Sequence, residues 1–332
     1  MPSELKPHPV EVACPDISHW AKSNVGDTSY VHEFRSQAAG ADVLISSLVH
    51  GNEYTGAIVL SELLSLLECG KLALRRGSIT AMFANVDGFA LFDPAQPDAS
   101  RFVDQDLNRV WSASVLEGST QSSELARARA LCPYVEHATH LLDLHSMHEP
   151  CEPLLITGML ARNVAFAQSL GGVGQIVMDA GHKDGVRMRD FADFGSENGG
   201  GEKIALLLEA GQHWQRASVA ACRDVLLRFL LRSEVLGMQE LIAAGLQCWL
   251  APDREASAPV KVTHAVVARS TQFEFTQAFT GNEVIAHAGT VIAHDDGQAV
   301  TTPYDNCILV MPSIRQLRLG VTTVRLGQRV VA

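Results

Sequence analysis

The chain lacks a basic surplus. Its 332 residues hold 26 Lys and Arg against 37 Asp and Glu, a formal charge of −11. A nucleic-acid binder needs the opposite balance, so that class is discounted. It also lacks a long apolar run: the windows 204–208 and 225–231 are short or carry an arginine, and no segment is expected to span a bilayer. The start, MPSELKPHPVEVACPD, has no basic region followed by an apolar stretch, so no signal peptide is expected. The seven cysteines, at 14, 69, 132, 151, 222, 248 and 307, are scattered and include no Cys-x-x-Cys pair. This excludes a disulfide framework and a thiolate zinc site, and suggests reduced, mostly buried thiols in a cytoplasmic protein. There is no internal repeat and no low-complexity tract.

What is present alternates between strand and helix patterns. Residues 28–36, 42–49, 78–86, 138–145, 153–158, 174–179 and 203–209 read as strands. Residues 54–69, 121–138, 161–170 and 213–235 read as helices, the second capped by Ser122 or Ser123. This order predicts an α/β layer fold with a parallel or mixed sheet. Two stretches interrupt it. Residues 87–120 form a long irregular segment, of the kind that is usually functional or disordered. The GSENGGG run at 195–201 precedes a strand rather than a helix and has no Lys-Ser/Thr, so a phosphate loop is not expected there. The polar, proline-flanked stretch 251–259 reads as a linker. It divides a larger unit, 1–250, from a small β-domain, 258–332, with strand-like pieces at 260–268, 272–279, 283–286, 299–301, 306–311 and 321–325.

Four polar patches lie at the ends of apolar runs: His50-Gly51-Asn52-Glu53, Asp106-Leu107-Asn108-Arg109, Asp143-Leu144-His145 and Glu209-Ala210-Gly211. His-x-x-Glu alone is weak, and the chain has a second copy at His8 and Glu11 in a proline-containing leader. His50 differs by following a buried strand, where ligands gather in open α/β sheets. A bend aided by Gly51 would point His50 and Glu53 at one ion. A tight zinc site needs a third ligand, and His145 also follows an apolar strand, with Asp143 two residues earlier on the same face. His148 competes for that role but lies beyond the strand end. Two imidazoles and a carboxylate leave zinc one open position for water. Glu209, ending the run IALLLE, is the candidate general base, its pKa raised by burial. Arg109, with Asn108, is the candidate anchor for an anion, since a guanidinium forks onto a carboxylate. Each of these residues alone is more simply a strand-end or loop polar group; the four patches together favour a zinc hydrolase acting on an amide next to a carboxylate.

Taken in order, HGNExTG, DLNR, DLH and the EAG after an apolar strand resemble the aspartoacylase and succinylglutamate desuccinylase family, relatives of zinc carboxypeptidases. The resemblance covers about 45–215 well and the C-terminal part more loosely. It implies a carboxypeptidase-like α/β domain with a mixed sheet flanked by helices, and a smaller C-terminal β-domain shielding the site. It implies one zinc on His50, Glu53 and His145, Glu209 as base and then acid, and Asn108 and Arg109 on the substrate carboxylate. Family members are expected to carry an oxyanion arginine in an Asn-Pro-Arg at the strand end, where this chain has Asn85-Val86-Asp87. Arg101, near Arg109, is the expected substitute. An arginine for a distal carboxylate is sought at Arg187 or Arg189, with Arg189 preferred, and a C-terminal tyrosine at Tyr304. The expectation is therefore a cytoplasmic zinc amidohydrolase that deacylates a small N-acylated, carboxylate-bearing substrate. No nucleic-acid or membrane partner is expected, and a homo-oligomer is left open. The rivals are a peptide carboxypeptidase and a non-catalytic metal or ligand binder on the same fold.

Overall fold

The computed structural model describes residues 8–196, 202–255 and 257–330. Most of the glycine-rich run, 197–201, and residue 256 of the linker lie outside the described residues.

Seven strands precede the linker: β1 (Val31–Arg35), β2 (Asp42–Ser47), β3 (Ser78–Phe83), β4 (His140–Met147), β5 (Leu154–Ile156), β6 (Gln175–Met178) and β7 (Ile204–Gln212). Seven follow it: β8 (Val260–Val267), β9 (Phe273–Phe275), β10 (Val284–Ile285), β11 (Val291–Asp295), β12 (Gln298–Thr301), β13 (Cys307–Val310) and β14 (Thr322–Arg329). Eleven of these form one mixed sheet in the order β1-β3-β2-β4-β7-β5-β6-β8-β14-β13-β10, and β12-β11-β9 form a small antiparallel sheet. The central pairings β2–β3, β2–β4 and β4–β7 are parallel, while β1–β3 and β5–β7 are antiparallel.

The helices are α1 (Thr55–Glu68), α2 (Val86–Ala90), α3 (Ala113–Leu116), α4 (Ser123–His137), α5 (Ala161–Gln168), α6 (Arg216–Arg232) and α7 (Met238–Ala243). Sheet residues alternate between two cores. Val43, Ile45, Leu142 and Leu206 pack with Leu60 and Leu63 of α1 and Leu226 and Phe229 of α6. Leu44, Leu141 and Ala205 pack against Leu125 and Leu131 of α4 on the other face. Burial on both faces explains why these strands read as continuous apolar runs rather than alternating ones. Each fully buried leucine contributes roughly 1.5–3 kcal/mol against the exposed state. Ser122 caps α4 by accepting from Leu125 N at 3.0 Å.

The C-terminal part carries the smaller antiparallel sheet and also extends the main one, since β8 pairs in parallel with β6, Val177 opposite Val260. Two expectations are corrected. The thiols are not mostly buried, since Cys14, Cys69 and Cys248 are exposed and Cys222 and Cys307 alone are fully buried. The irregular stretch 87–120 holds most of α2 and all of α3. Among the described residues, no helix is long and apolar enough to cross a membrane.

Candidate active site

The carboxyl ends of β2, β4 and β7 sit side by side, and the polar patches converge there. After β2 the chain turns at Leu48, which takes a left-handed φ of 57°. A second turn follows at once, closed by Glu53 N donating to His50 O at 3.1 Å with Gly51 and Asn52 at its centre. Gly51 also permits close approach: a Cβ there would lie 2.3 Å from Ser100 O and from the backbone of Gly88. Gly51 N donates to Arg101 O at 3.0 Å, which ties the long loop to the turn. Glu53 then stands just before α1.

Glu53 is the hub. His50 Nδ1 lies 2.7 Å from its Oε1 and His145 Nδ1 lies 2.9 Å from its Oε2. The outer nitrogens face carboxylates, His50 Nε2 to Asp106 at 2.9 Å and His145 Nε2 to Asp143 at 2.8 Å. Inner nitrogens on one point with outer nitrogens on carboxylates is the arrangement by which proteins orient imidazoles toward a metal. The three side chains are buried and their ligand atoms lie within 4.8 Å of one another. Against the cost of burial, Asp143 and Glu53 hold the His145 imidazole well above its ordinary pKa. Also against burial, the two histidines hold Glu53 well below the usual carboxylate range. The donor set and its electrostatics fit a zinc-class cation.

Glu209 is opposite His145 in the β4–β7 register, and so on the same sheet face. A register shift after His145 lets Ser146 N donate to Glu53 Oε2 at 3.2 Å. Glu209 is buried and its Oε2 has no hydrogen-bond partner. Burial first, then the nearby Glu53, push its pKa up to about 8. An unpartnered buried carboxylate is costly to keep, and such groups cluster where chemistry uses them.

The site opens into a cavity of about 200 Å³ lined by His50, His145 and Glu209 together with a basic wall. Arg101 and Arg109 contribute from the long loop, Arg187 from the segment after β6, and Arg325 from β14. Arg101 Nη1 donates to Glu53 Oε1 at 3.0 Å, and Nη2 lies 3.5 Å from Asp106 Oδ2. Arg109 donates from Nη1 to Asn108 O at 2.9 Å and lies 3.8 Å from Asp106, while its buried Nε makes no hydrogen bond and stands 3.5 Å from Asp184 Oδ1. Asn108 accepts from Met188 N at 3.0 Å and also lines the cavity. Burial, then Arg325, Arg109 and Arg187, depress the pKa of His182, which keeps that wall residue neutral.

Two expected residues are elsewhere. Arg189 is fully buried away from the cavity, donating to Thr157 O at 2.7 Å, under Gly158, and paired with Asp190. Arg187 faces the cavity instead, anchored by Asp179 at 3.2 Å and Asp190 at 2.5 Å. Tyr304 packs in a C-terminal core and bonds Thr263 Oγ1 at 2.5 Å, and does not line the cavity. Asp87 is exposed in the first turn of α2, so it does not occupy an oxyanion position; the guanidinium at the ligands is that of Arg101. His148 lines the cavity but stands outside the His50, Glu53 and His145 group. Sequence reasoning missed Arg325 and His182. Neither carried a local signal, one lying in an alternating strand and the other in a polar run.

Residues 39–196 match the model of the succinylglutamate desuccinylase/aspartoacylase catalytic domain. A 121-residue stretch is 26% identical to a succinylglutamate desuccinylase of Idiomarina loihiensis, covering 36% of this chain and 33% of that one. The chain thus matches about a third of the length of that curated relative. The fold is similar to that of the succinylglutamate desuccinylase of Vibrio cholerae, with a TM-score of 0.64 at 18% identity, covering 91% of this chain and 86% of the other. It is also similar to a succinylglutamate desuccinylase/aspartoacylase from Rhodobacter sphaeroides, with a TM-score of 0.63 at 17% identity over 89% and 87% of the two chains.

Proposed function

From the premise that residues 39–196 belong to the succinylglutamate desuccinylase/aspartoacylase catalytic-domain family, we propose that the protein is a zinc-dependent deacylase. Its substrate is a small N-acyl amino acid or a similar amide that carries a carboxylate. The observation that carries this reading is the buried, unpartnered Glu209 carboxylate beside three convergent metal-ligand side chains. A sensor or binding module has no use for such a base.

His50, Glu53 and His145 would hold one zinc ion. When bound, the ion supplies Lewis acidity and a positive charge that favours the ionised form of Glu209 over the buried acid. Glu209 takes a proton from the attacking water and returns it to the leaving amine. Arg101 is close enough to the ligands to donate to the carbonyl oxygen as it gains charge. Arg109, whose buried Nε makes no hydrogen bond, and Asn108 orient the substrate carboxylate. Met311, Ser313 and Arg325 of the C-terminal segment line the cavity, whose volume of about 200 Å³ favours a small substrate over a peptide. The working division is a catalytic unit, 1–250, and a shielding segment, 258–332. The seven free cysteines suit a cytoplasmic location.

A hydrolysis screen of N-acyl amino acids with zinc-loaded protein tests the reading. Release of the free amine by the parent is expected, with Glu209→Gln keeping its zinc and fold but losing about 10²–10⁴-fold in turnover. Turnover of Glu209→Gln near the parent rate would make Glu209 structural.

A further inference from the structure

A second group of ligand-bearing side chains lies beside the first and has no part in the chemistry above. Asp98, His148 and His213 bring three ligand atoms within 4.8 Å of one another. His213 Nε2 lies 3.1 Å from His148 Nδ1, and His148 Nδ1 lies 3.7 Å from Asp98 Oδ1. We propose that Asp98, His148 and His213 form a second metal site, which takes a divalent ion of the zinc class.

The two histidine pairs are built alike. The His148 and His213 rings have centroids 4.8 Å apart at 82°, and the His50 and His145 rings have centroids 5.0 Å apart at 68°. Each pair spans two neighbouring chain segments that the fold fixes. His213 directly follows β7 and its N donates to Met147 O at 3.0 Å, so the backbone holds it next to His148 at the end of β4. Its outer nitrogen, Nδ1, is 2.9 Å from Ser146 Oγ. With Nδ1–H donating there, the Nε2 lone pair turns to the space shared with His148, the relation a ligating histidine has to the group that orients it. His213 is buried, while the His148 side chain is 18% and the Asp98 side chain 35% exposed, which leaves an entry path from solvent.

A network held by hydrogen bonds alone accounts for these residues less well. Asp98 Oδ1 is shielded from solvent and has no hydrogen-bond partner. At 3.7 Å from His148 it is too far for such a bond. A buried carboxylate oxygen without a donor is expensive unless a cation meets it. Two imidazole nitrogens and one carboxylate oxygen suit zinc and its transition-metal neighbours rather than calcium or magnesium. Three protein ligands also leave a coordination position open. His148 borders the same cavity as His145, Glu209 and Arg109, so the second ion would add a positive point to the wall that receives an anionic substrate.

The test is zinc titration of metal-stripped protein by calorimetry, with bound metal counted after gel filtration. The parent should bind about two ions per chain, and Asp98→Asn, His148→Ala and His213→Gln should each bind about one. His145→Ala should also bind about one, and His145→Ala with His213→Gln about none. The variants at the partly exposed Asp98 and His148 guard against a folding defect at buried His213. One ion in the parent, unchanged by these substitutions and lost with His145→Ala, would overturn the second site and leave the first intact. Two ions in the parent with no loss in any of the three variants would place the second ion elsewhere and equally overturn the proposal.

Discussion

Asp143 shows how much of the site depends on groups outside the candidate ligand set. It is fully buried, and its Oδ2 fixes the outer nitrogen of His145 at 2.8 Å. Removing that charge leaves the ring free to turn and less basic at Nδ1. Asp143→Asn should therefore weaken zinc binding by about 10–100-fold, measured by competition with a chromophoric chelator. An unchanged affinity would mean that packing alone orients His145. The residues singled out by the four patches come from four separate segments; three were legible because they end apolar runs, and the Asp106–Arg109 patch because it lies in the long irregular loop. Arg325, His182, Asp98 and His213 were not legible. They reach the site through tertiary placement, and nothing in their local spacing distinguishes them from surface polar residues. Arg189 misled for a related reason: Arg187 and Arg189 sit two apart on one short turn, and only the packed fold reveals which faces the cavity.

Among the elements, the turn between β2 and α1 carries the tightest constraint. Gly51 packs against the backbone of α2 and of the loop that bears Arg101, with no room for a Cβ. Backbone cannot swing aside as a side chain can. Gly51→Ala should cost about 1–3 kcal/mol, the usual range for overpacking, read as a lowered midpoint in urea unfolding. A midpoint equal to the parent's would show that the loop yields freely. The long elements were readable from pattern. The strand 42–49 appears as β2 and the helix 54–69 as α1, because continuous apolar runs and helical spacing are strong signals. The unforeseen elements are short. α7 buries a single apolar residue, Leu241, and so shows little periodicity. β11 alternates in part, but its buried Asp295 binds Arg269 N and Ser270 Oγ and breaks the apolar pattern.

For the whole molecule, the continuous sheet has a functional consequence. Because β8 and β14 extend the same sheet that carries β4 and β7, Arg325 of β14 and Glu209 of β7 line one cavity from strands of one sheet. A linker composition at 251–259 signalled a boundary, yet register pairing across β6 and β8 is a long-range property that composition does not encode. The proposed chemistry depends above all on a zinc ion between His50, Glu53 and His145, at the cavity that they border with Glu209. Anomalous diffraction at the zinc edge from crystals of the zinc-loaded protein tests it directly. The expected result is a peak bonded to Nδ1 of His50, Nδ1 of His145 and the Glu53 carboxylate. A fully loaded crystal with no peak among these three residues would contradict it.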